Sequence, residues 1–164
     1  MENFVVTWVL LPQKKTYSTL AFKLLFAPRG VRLSFTLSAM LDEPNLCTLL
    51  LTRLTDQSQS FSLRLYLDRV QFHKGTCHFQ LARVTKLQRE GALVYLCDGV
   101  GRLGSWHKKA AVFDRRWNLT GGANFTYAAR HTNAELVYKL SGPQVERVLK
   151  TFQDARARFP LWTP

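Results

Sequence analysis

Cysteine is scarce in this sequence, with three residues among 164, and the three lie far apart. No CxxC pair occurs, and the histidines beside Cys77, His73 and His78, have no second cysteine pair to complete a zinc site. The sequence offers no metal site of this kind, and we expect no cofactor. Because an odd number of separated cysteines is typical of reduced thiols, Cys47, Cys77 and Cys97 favour a cytoplasmic location.

Long hydrophobic runs are also lacking. The apolar run from Phe4 to Leu11 is too short to cross a bilayer, and Glu2 rather than a lysine precedes it, which argues against a signal peptide. This run predicts a buried strand, and we expect no stable membrane association.

Acidic residues are few: 11 Asp and Glu stand against 23 Lys and Arg, which gives a net charge of +12. Such a surplus favours a polyanionic partner, which could be nucleic acid, an anionic membrane or an acidic protein, although a basic but otherwise ordinary soluble protein would have the same composition. With 46% hydrophobic residues the chain can bury a core, and its length predicts a single domain over residues 1–164.

Apolar residues recur at period two and at helical spacing in alternation along the chain. This alternation predicts an α/β fold with a mixed, mostly parallel sheet flanked by helices. The segment Tyr17–Phe26 suits a short helix but is ambiguous. The later segments, in chain order, are VRLSFTLSAML (strand), DEPNLCTLLLTRLTD (helix), SFSLRLYLD (strand), CHFQLARVTKLQREG (helix ended by Gly91), ALVYLCDG, KAAVFD and AELVYKL (strands) and SGPQVERVLKTFQDARARF (helix).

One stretch, HKKAAVFDRRWNLTGGANFT at residues 107–126, combines residue types that suit phosphate chemistry. In an extended strand His107 and Lys109 point to the same face, with Lys108 on the other. A lysine can offset charge on phosphoryl oxygens while an imidazole attacks phosphorus or transfers protons. A structural histidine in a strand would have the same local sequence.

The double glycine after this strand predicts a tight turn. Gly121 and Gly122 would expose backbone N–H groups, and Asn124 would add a side-chain amide, so that the turn can hold a phosphate. A turn that needs glycine only for its geometry is the alternative. "GSWHKK" and "TGGANFT" are expected to meet at one edge of the sheet.

The joint spacing, H-x-K-x4-D-x6-G-G-x-N, resembles the HKD motif of the phospholipase D superfamily. His107, Lys109, Asp114, Gly121 and Asn124 fall in register with it. The family usually has serine at the Gly122 position. The segment GGANFTYAARHTNAELVYKL also resembles the family's continuation, in which a glutamate opens the next strand at the position of Glu135. The resemblance spans residues 4–160 and is sharp over 104–140.

The resemblance implies a site that is completed by dimerisation. Because the chain has one motif, it looks like the compact class of plasmid-type endonucleases and Zucchini-like proteins, which pair two copies across a two-fold axis. His107 would attack phosphorus, and Lys109 and Asn124 would hold the phosphate. Glu135 would orient the histidine, and Asp114 would brace the site. The family needs no metal.

Several residues beside the motif are candidates for contact with nucleic acid. Arg102, Lys108, Arg115 and Arg116 could follow a phosphate backbone, or form a solvated basic rim. Trp106 and Trp117 could stack on bases, or pack in the core.

Three functions follow from these patterns. The first is a metal-independent nuclease that acts as a homodimer through a phosphohistidine. The second is a phospholipid hydrolase of the cardiolipin type, for which no membrane anchor is evident. The third is a non-catalytic binding protein, which only Gly122 supports.

Overall fold

The computed structural model describes residues 33–38, 41–58, 60–74, 79–99, 105–131 and 136–164. Six strands and five helices lie in these ranges. They are β1 (Leu33–Ser38), α1 (Pro44–Thr55), β2 (Phe61–Asp68), α2 (Arg69–His73), α3 (Gln80–Arg89), β3 (Leu93–Cys97), β4 (Ala110–Phe113), β5 (Trp117–Gly121), α4 (Tyr127–His131), β6 (Val137–Ser141) and α5 (Pro143–Arg158).

The six strands form one mixed sheet in the order β3-β2-β1-β4-β5-β6. β1, β2 and β3 are parallel to one another, whereas β4 is antiparallel to β1 and β5, and β5 is antiparallel to β6. The predicted α/β class and mixed sheet are confirmed. The expected parallel majority is not found among the described strands, because a tight turn joins β4 to β5 and such a turn can only connect antiparallel neighbours.

The helices begin and end where the sequence signals lie. Pro44 opens α1, and the Glu43 carboxylate accepts a hydrogen bond from the backbone N–H of Leu46 at 2.6 Å. α3 ends just before Gly91, whose φ of +98° is a conformation that glycine adopts at little cost. α5 likewise begins at Pro143.

Two apolar layers enclose the sheet. α1 and α3 cover one face, where the buried core includes Leu50, Leu65 and Val84. α5 covers the other face, where Tyr66 stacks on Phe152 with ring centroids 4.9 Å apart. β2 therefore contributes buried side chains to both faces of the sheet. This explains why consecutive residues near the end of SFSLRLYLD are apolar, rather than every second one.

The cysteine prediction holds for the described thiols. Cys47 and Cys97 are free and buried, and burial raises the pKa of each to about 12, so neither is a ready nucleophile. Cys77, the predicted strand Phe4–Leu11 and the predicted helix Tyr17–Phe26 lie outside the described residues. None of the described helices combines the length and the apolar character needed to cross a membrane.

The β4–β5 turn has two consecutive residues in the left-handed region: Asp114 has a φ of +47° and Arg115 a φ of +59°. The backbone N–H of Arg116 donates to the carbonyl of Phe113 at 2.9 Å, which closes the turn. Two positive φ values at the central positions define a type I′ turn, which favours Asp-Gly over Asp-Arg.

Replacing Arg115 with glycine should raise the free energy of unfolding by about 0.5–1 kcal/mol, because it removes the Cβ strain of a left-handed residue. The exposed ion pair between Arg115 and Glu146, at 3.0 Å, would be lost, but exposed pairs contribute little. Urea denaturation measures the change. Arg116→Gly is the matched control: its φ is not positive, so this substitution should lower stability, and equal effects of the two would contradict the strain argument.

Candidate active site

His107 and Lys109 form the centre of the candidate site. The Lys109 Nζ lies 2.7 Å from Nε2 of His107, and because an ammonium only donates, this imidazole nitrogen accepts. The contact confirms that the two side chains share a face. His107 is exposed whereas Lys109 is 9% exposed, so a buried cation lies behind a reachable imidazole.

The start of β4 and the end of β5 meet at this edge of the sheet. Ala110 pairs with Thr120, and the Lys109 carbonyl just outside the ladder accepts the Thr120 hydroxyl at 2.8 Å and the Gly121 N–H at 3.4 Å. These bonds fix the Lys109 backbone. The expected meeting of GSWHKK and TGGANFT is therefore observed for their described residues.

Gly121 is required by space. A Cβ at this position would lie 2.0 Å from the Leu136 carbonyl oxygen, because the backbones of β5 and β6 approach closely here. The neighbouring Gly122 N–H donates to that same oxygen at 3.0 Å. Both glycine N–H groups thus have acceptors within the fold, and they are not exposed as predicted. The glycines bring the strands together, which leaves side chains as the groups that could hold an anion here.

Asn124 lies beside Lys109 in a small pocket. It is half-buried, directly after the glycine turn, and the pocket opens between the start of β4, the end of β5 and the start of β6. The pocket is lined by Lys109, Leu119, Thr120, Gly121, Ala123, Asn124, Phe125 and Val137. Lys109 and Asn124 thus contribute an ammonium and a carboxamide to the lining of one pocket, and the same ammonium contacts His107.

Asp68, at the end of β2, anchors the segment that carries His107. Its Oδ2 accepts the Ser105 hydroxyl at 2.7 Å and the Trp106 N–H at 2.5 Å, and its Oδ1 accepts the Gln71 N–H at 2.7 Å. Asp68 is 8% exposed. Sequence reasoning missed this residue, although an acid at the carboxyl end of the strand LRLYLD was a usable signal.

The structure does not bring Asp114, Arg115 or Arg116 to the site. They form the turn at the far end of β4, and Lys109 precedes the strand, so Asp114 is roughly 15 Å from it along the chain direction. β4 therefore separates all three residues from Lys109, and the bracing role of Asp114 and the rim roles of both arginines stay predictions. Arg115 pairs instead with Glu146.

Other predicted residues have different outcomes. Lys108 is exposed beside His107, with its Nζ 5.3 Å from the Trp106 ring centroid. Trp106 is half-buried against Phe159, and Trp117 stacks on Phe113 at 4.0 Å, so both tryptophans pack in the fold. Glu135 and Arg102 lie outside the described residues. Among the described side chains, no three of His, Cys, Asp or Glu gather as metal ligands would.

A family model described as "Cardiolipin synthase, PLD-like domain" matches residues 32–156. This match covers more than half of the chain, which therefore belongs to this family of phospholipase D-like domains, in the class with a single HKD motif. No curated protein sequence matches the chain.

Solved structures support the same fold. NucT from Helicobacter pylori superposes with a TM-score of 0.74 at 13% identity, covering 98% of this chain and 99% of that protein. The phospholipase D family member Nuc from Salmonella typhimurium gives 0.67 at 19% identity, covering 90% and 91%. TrmBL2, an archaeal chromatin protein described with a novel mode of DNA binding, gives 0.56 at 13% identity, covering 97% of this chain and 55% of that one.

Gly121→Ala should lower the free energy of unfolding by about 3 kcal/mol or more, because the new methyl group would overlap the backbone of β6, which cannot move without breaking the ladder. Gly142→Ala is the matched control: Gly142 also has a positive φ, +63°, but its Cβ would meet nothing within 4 Å. It should cost about 1 kcal/mol from strain alone. Urea unfolding compares the two, and similar losses would show that the close approach is unimportant.

Proposed function

We propose that the protein is a metal-independent phosphodiesterase that cleaves nucleic acid through a phosphohistidine, as a homodimer. The observation that carries this proposal is the 2.7 Å contact between the Lys109 ammonium and Nε2 of the exposed His107, at a pocket that also contains Asn124. The ammonium is placed where it could also hold a phosphoryl oxygen beside the imidazole.

The reaction has two displacements. When the phosphodiester binds, the Lys109 ammonium turns from Nε2 of His107 to a non-bridging oxygen, which frees the Nε2 lone pair. Nε2 then attacks phosphorus, the bond to the leaving oxygen breaks, and that oxygen takes a proton from His107 of the partner subunit. Water then attacks phosphorus, gives its proton to the partner subunit's His107, and releases His107 as the N–P bond breaks. Lys109 and Asn124 stabilise the charge on the non-bridging oxygens throughout. Glu135, by resemblance to the family, would orient the imidazole.

Two arguments support a homodimer: the two-step displacement needs two histidines, and exposed apolar side chains lie near the glycine turn. One motif supplies one histidine, whereas the two displacements need a nucleophile and an acid on opposite sides of phosphorus. Tyr127, five residues after Gly122, is 56% exposed, and Leu136, whose carbonyl accepts the Gly122 N–H, is 42% exposed. A partner across a two-fold axis would cover such apolar surface beside the site.

The substrate class rests on charge. The surplus of +12 favours a polyanion, and Lys108 extends the positive surface beside His107. TrmBL2, which shares the fold, is described as binding DNA, and this supports the same choice. Arg102 remains a candidate for backbone contact, and a cytoplasmic location remains a prediction.

Two alternative functions are each supported by one observation. The family model carries the description cardiolipin synthase, which favours a phospholipid phosphodiester as the second candidate substrate. Gly122 in place of the usual serine favours a non-catalytic binding protein. Labelled DNA, RNA and cardiolipin, each with and without EDTA, distinguish the three functions.

His107→Ala should lower the cleavage rate by at least about 10³-fold, because no other described side chain is placed to attack phosphorus. Binding should persist, since Lys109 and Asn124 remain. A time course and a binding titration with the same oligonucleotide measure both, and EDTA should change neither. Undiminished cleavage by the variant, or loss of wild-type cleavage in EDTA with recovery in magnesium, would refute the phosphohistidine route.

Mixed dimers test the shared site with the same variant. When equal amounts of wild type and His107→Ala are refolded together, about one quarter of the wild-type activity per total protein should remain, because only dimers with two intact histidines work. A value of about one half would mean that each chain acts alone.

Asp68→Asn should lower kcat by about 10- to 100-fold with little change in KM, because small displacements of a nucleophile are costly. Asparagine keeps the Oδ1 acceptor for Gln71 but turns an NH2 group towards the Trp106 N–H. Asp56→Asn is the matched control, since Asp56 also accepts a backbone N–H and a hydroxyl, both from Ser58, at the end of α1. Equal kcat values for the two variants would remove Asp68 from the positioning role.

A further inference from the structure

A second pocket opens between α1 and α3, with a volume of about 180 Å³. Buried Cys47 and Leu87 form its floor. Its walls come from one face of each helix, because the lining residues are spaced by three or four: Pro44, Thr48 and Leu51 on α1, and Arg83 and Lys86 on α3. The pocket lies on the sheet face opposite α5.

Arg83 lines this pocket with an unsatisfied donor. Its Nη1 is buried, and no residue in the described part of the chain accepts a hydrogen bond from it. A buried guanidinium N–H without an acceptor is costly, and an anion in the pocket would remove that cost. Glu43, the buried acid at the start of α1, is already engaged with the Leu46 N–H and the Asn45 side chain.

Lys86 adds a second positive charge to the same wall. It is exposed, and it forms no ion pair with any described carboxylate. Two cations on one wall, without a described acidic partner, favour a ligand with negatively charged oxygens.

Phe79 supplies an aromatic surface beside these cations. Its side chain is 63% exposed, and the Arg83 guanidinium carbon lies 5.2 Å from its ring centroid. Phe79, Arg83 and Lys86 are spaced by four and three residues, so they follow one side of α3. An exposed ring next to unpaired cations is the arrangement with which proteins bind single strands, the base on the ring and the phosphate on the cations.

We propose that the pocket between α1 and α3, extended into a groove by the exposed Phe79 ring beside Arg83, binds one nucleotide of a single-stranded nucleic acid away from the scissile phosphate. The proposal rests on the proposed function. Both sites lie at the same edge of the sheet: Phe125 lines the pocket that contains Lys109 and Asn124, and its carbonyl accepts the N–H groups of Asp42 and Glu43 at the start of α1. A strand that leaves the catalytic pocket can therefore continue into the groove.

The test is a titration of a labelled single-stranded oligonucleotide, with every protein in the His107→Ala background so that no cleavage occurs. Arg83→Gln with Lys86→Gln should raise Kd about tenfold or more, and should reduce the slope of log affinity against log salt by about 0.7, for the one phosphate of the bound nucleotide. Phe79→Ala should raise Kd at least about fivefold without changing the salt slope.

The matched control is Arg147→Gln with Arg158→Gln on α5. It removes the same charge, and the Arg158 guanidinium also lies 5.2 Å from an aromatic ring, that of Phe159. We expect less than about a twofold change in Kd. If both double variants lose the same affinity, total charge alone controls binding and the groove proposal is wrong.

Inorganic phosphate at constant ionic strength distinguishes the source of the ligand. Weak competition by phosphate together with an effect of Phe79→Ala supports a nucleotide, whereas saturable competition with no effect of Phe79→Ala would indicate a site for free phosphate and overturn the proposal. Binding that depends on Arg83, with no cleavage of any substrate by wild type, would refute the proposed function and support the groove. Cleavage by wild type with no specific effect of Arg83 would do the reverse.

Discussion

The close approach of β5 to β6 at Gly121 is the constraint on which the candidate site depends. With no side chain at Gly121, the backbone of β5 fits against the Leu136 carbonyl, which takes the Gly122 N–H. The same turn sends the Gly121 N–H and the Thr120 hydroxyl to the Lys109 carbonyl. The turn thus holds the Lys109 backbone through two hydrogen bonds, and the segment that carries Asn124 begins directly after it.

A second anchor comes from outside this hairpin. Asp68 ends β2, which is separated from β4 by β1, and its carboxylate accepts hydrogen bonds from Ser105 and Trp106 just before His107. The imidazole is therefore positioned by a segment tied to β2, and the ammonium by the ladder between β4 and β5. Because both anchors belong to a single sheet, the distance between the two side chains is set by the rigid part of the fold.

The sequence predicted the elements well where hydrophobic periodicity and end signals agreed. Pro44 and Pro143 marked helix starts, Gly91 marked a helix end, and the alternating apolar residues of SFSLRLYLD marked a strand. The His107–Lys109 pair was also predictable, because side chains two apart on an extended chain share a face. Strand direction was not, since period two is the same in parallel and antiparallel sheets.

At the site, the structure differs from the expectations for separate reasons. Asp114 is close to Lys109 in the motif, but motif spacing does not say that a whole strand separates the two. The N–H groups of the glycine turn were predicted to be exposed, but they donate hydrogen bonds within the fold. The sequence does not show which segment will pack beside the turn and supply the acceptor, here the Leu136 carbonyl for the Gly122 N–H. Asp68 was missed because its contact with Ser105 and Trp106 spans more than 35 residues of chain.

The hydrogen bonding of Gly122 also limits what the absent serine hydroxyl can change. Its N–H serves the contact with the Leu136 carbonyl, a backbone bond that forms with any residue except proline. The scaffold of the turn therefore does not need the hydroxyl, and its absence removes one polar group from an exposed position beside the pocket. His107, Lys109 and Asn124 keep their places. A degenerate binding protein would be expected to lose the costly arrangement first, a buried ammonium held against an imidazole, and this chain retains it.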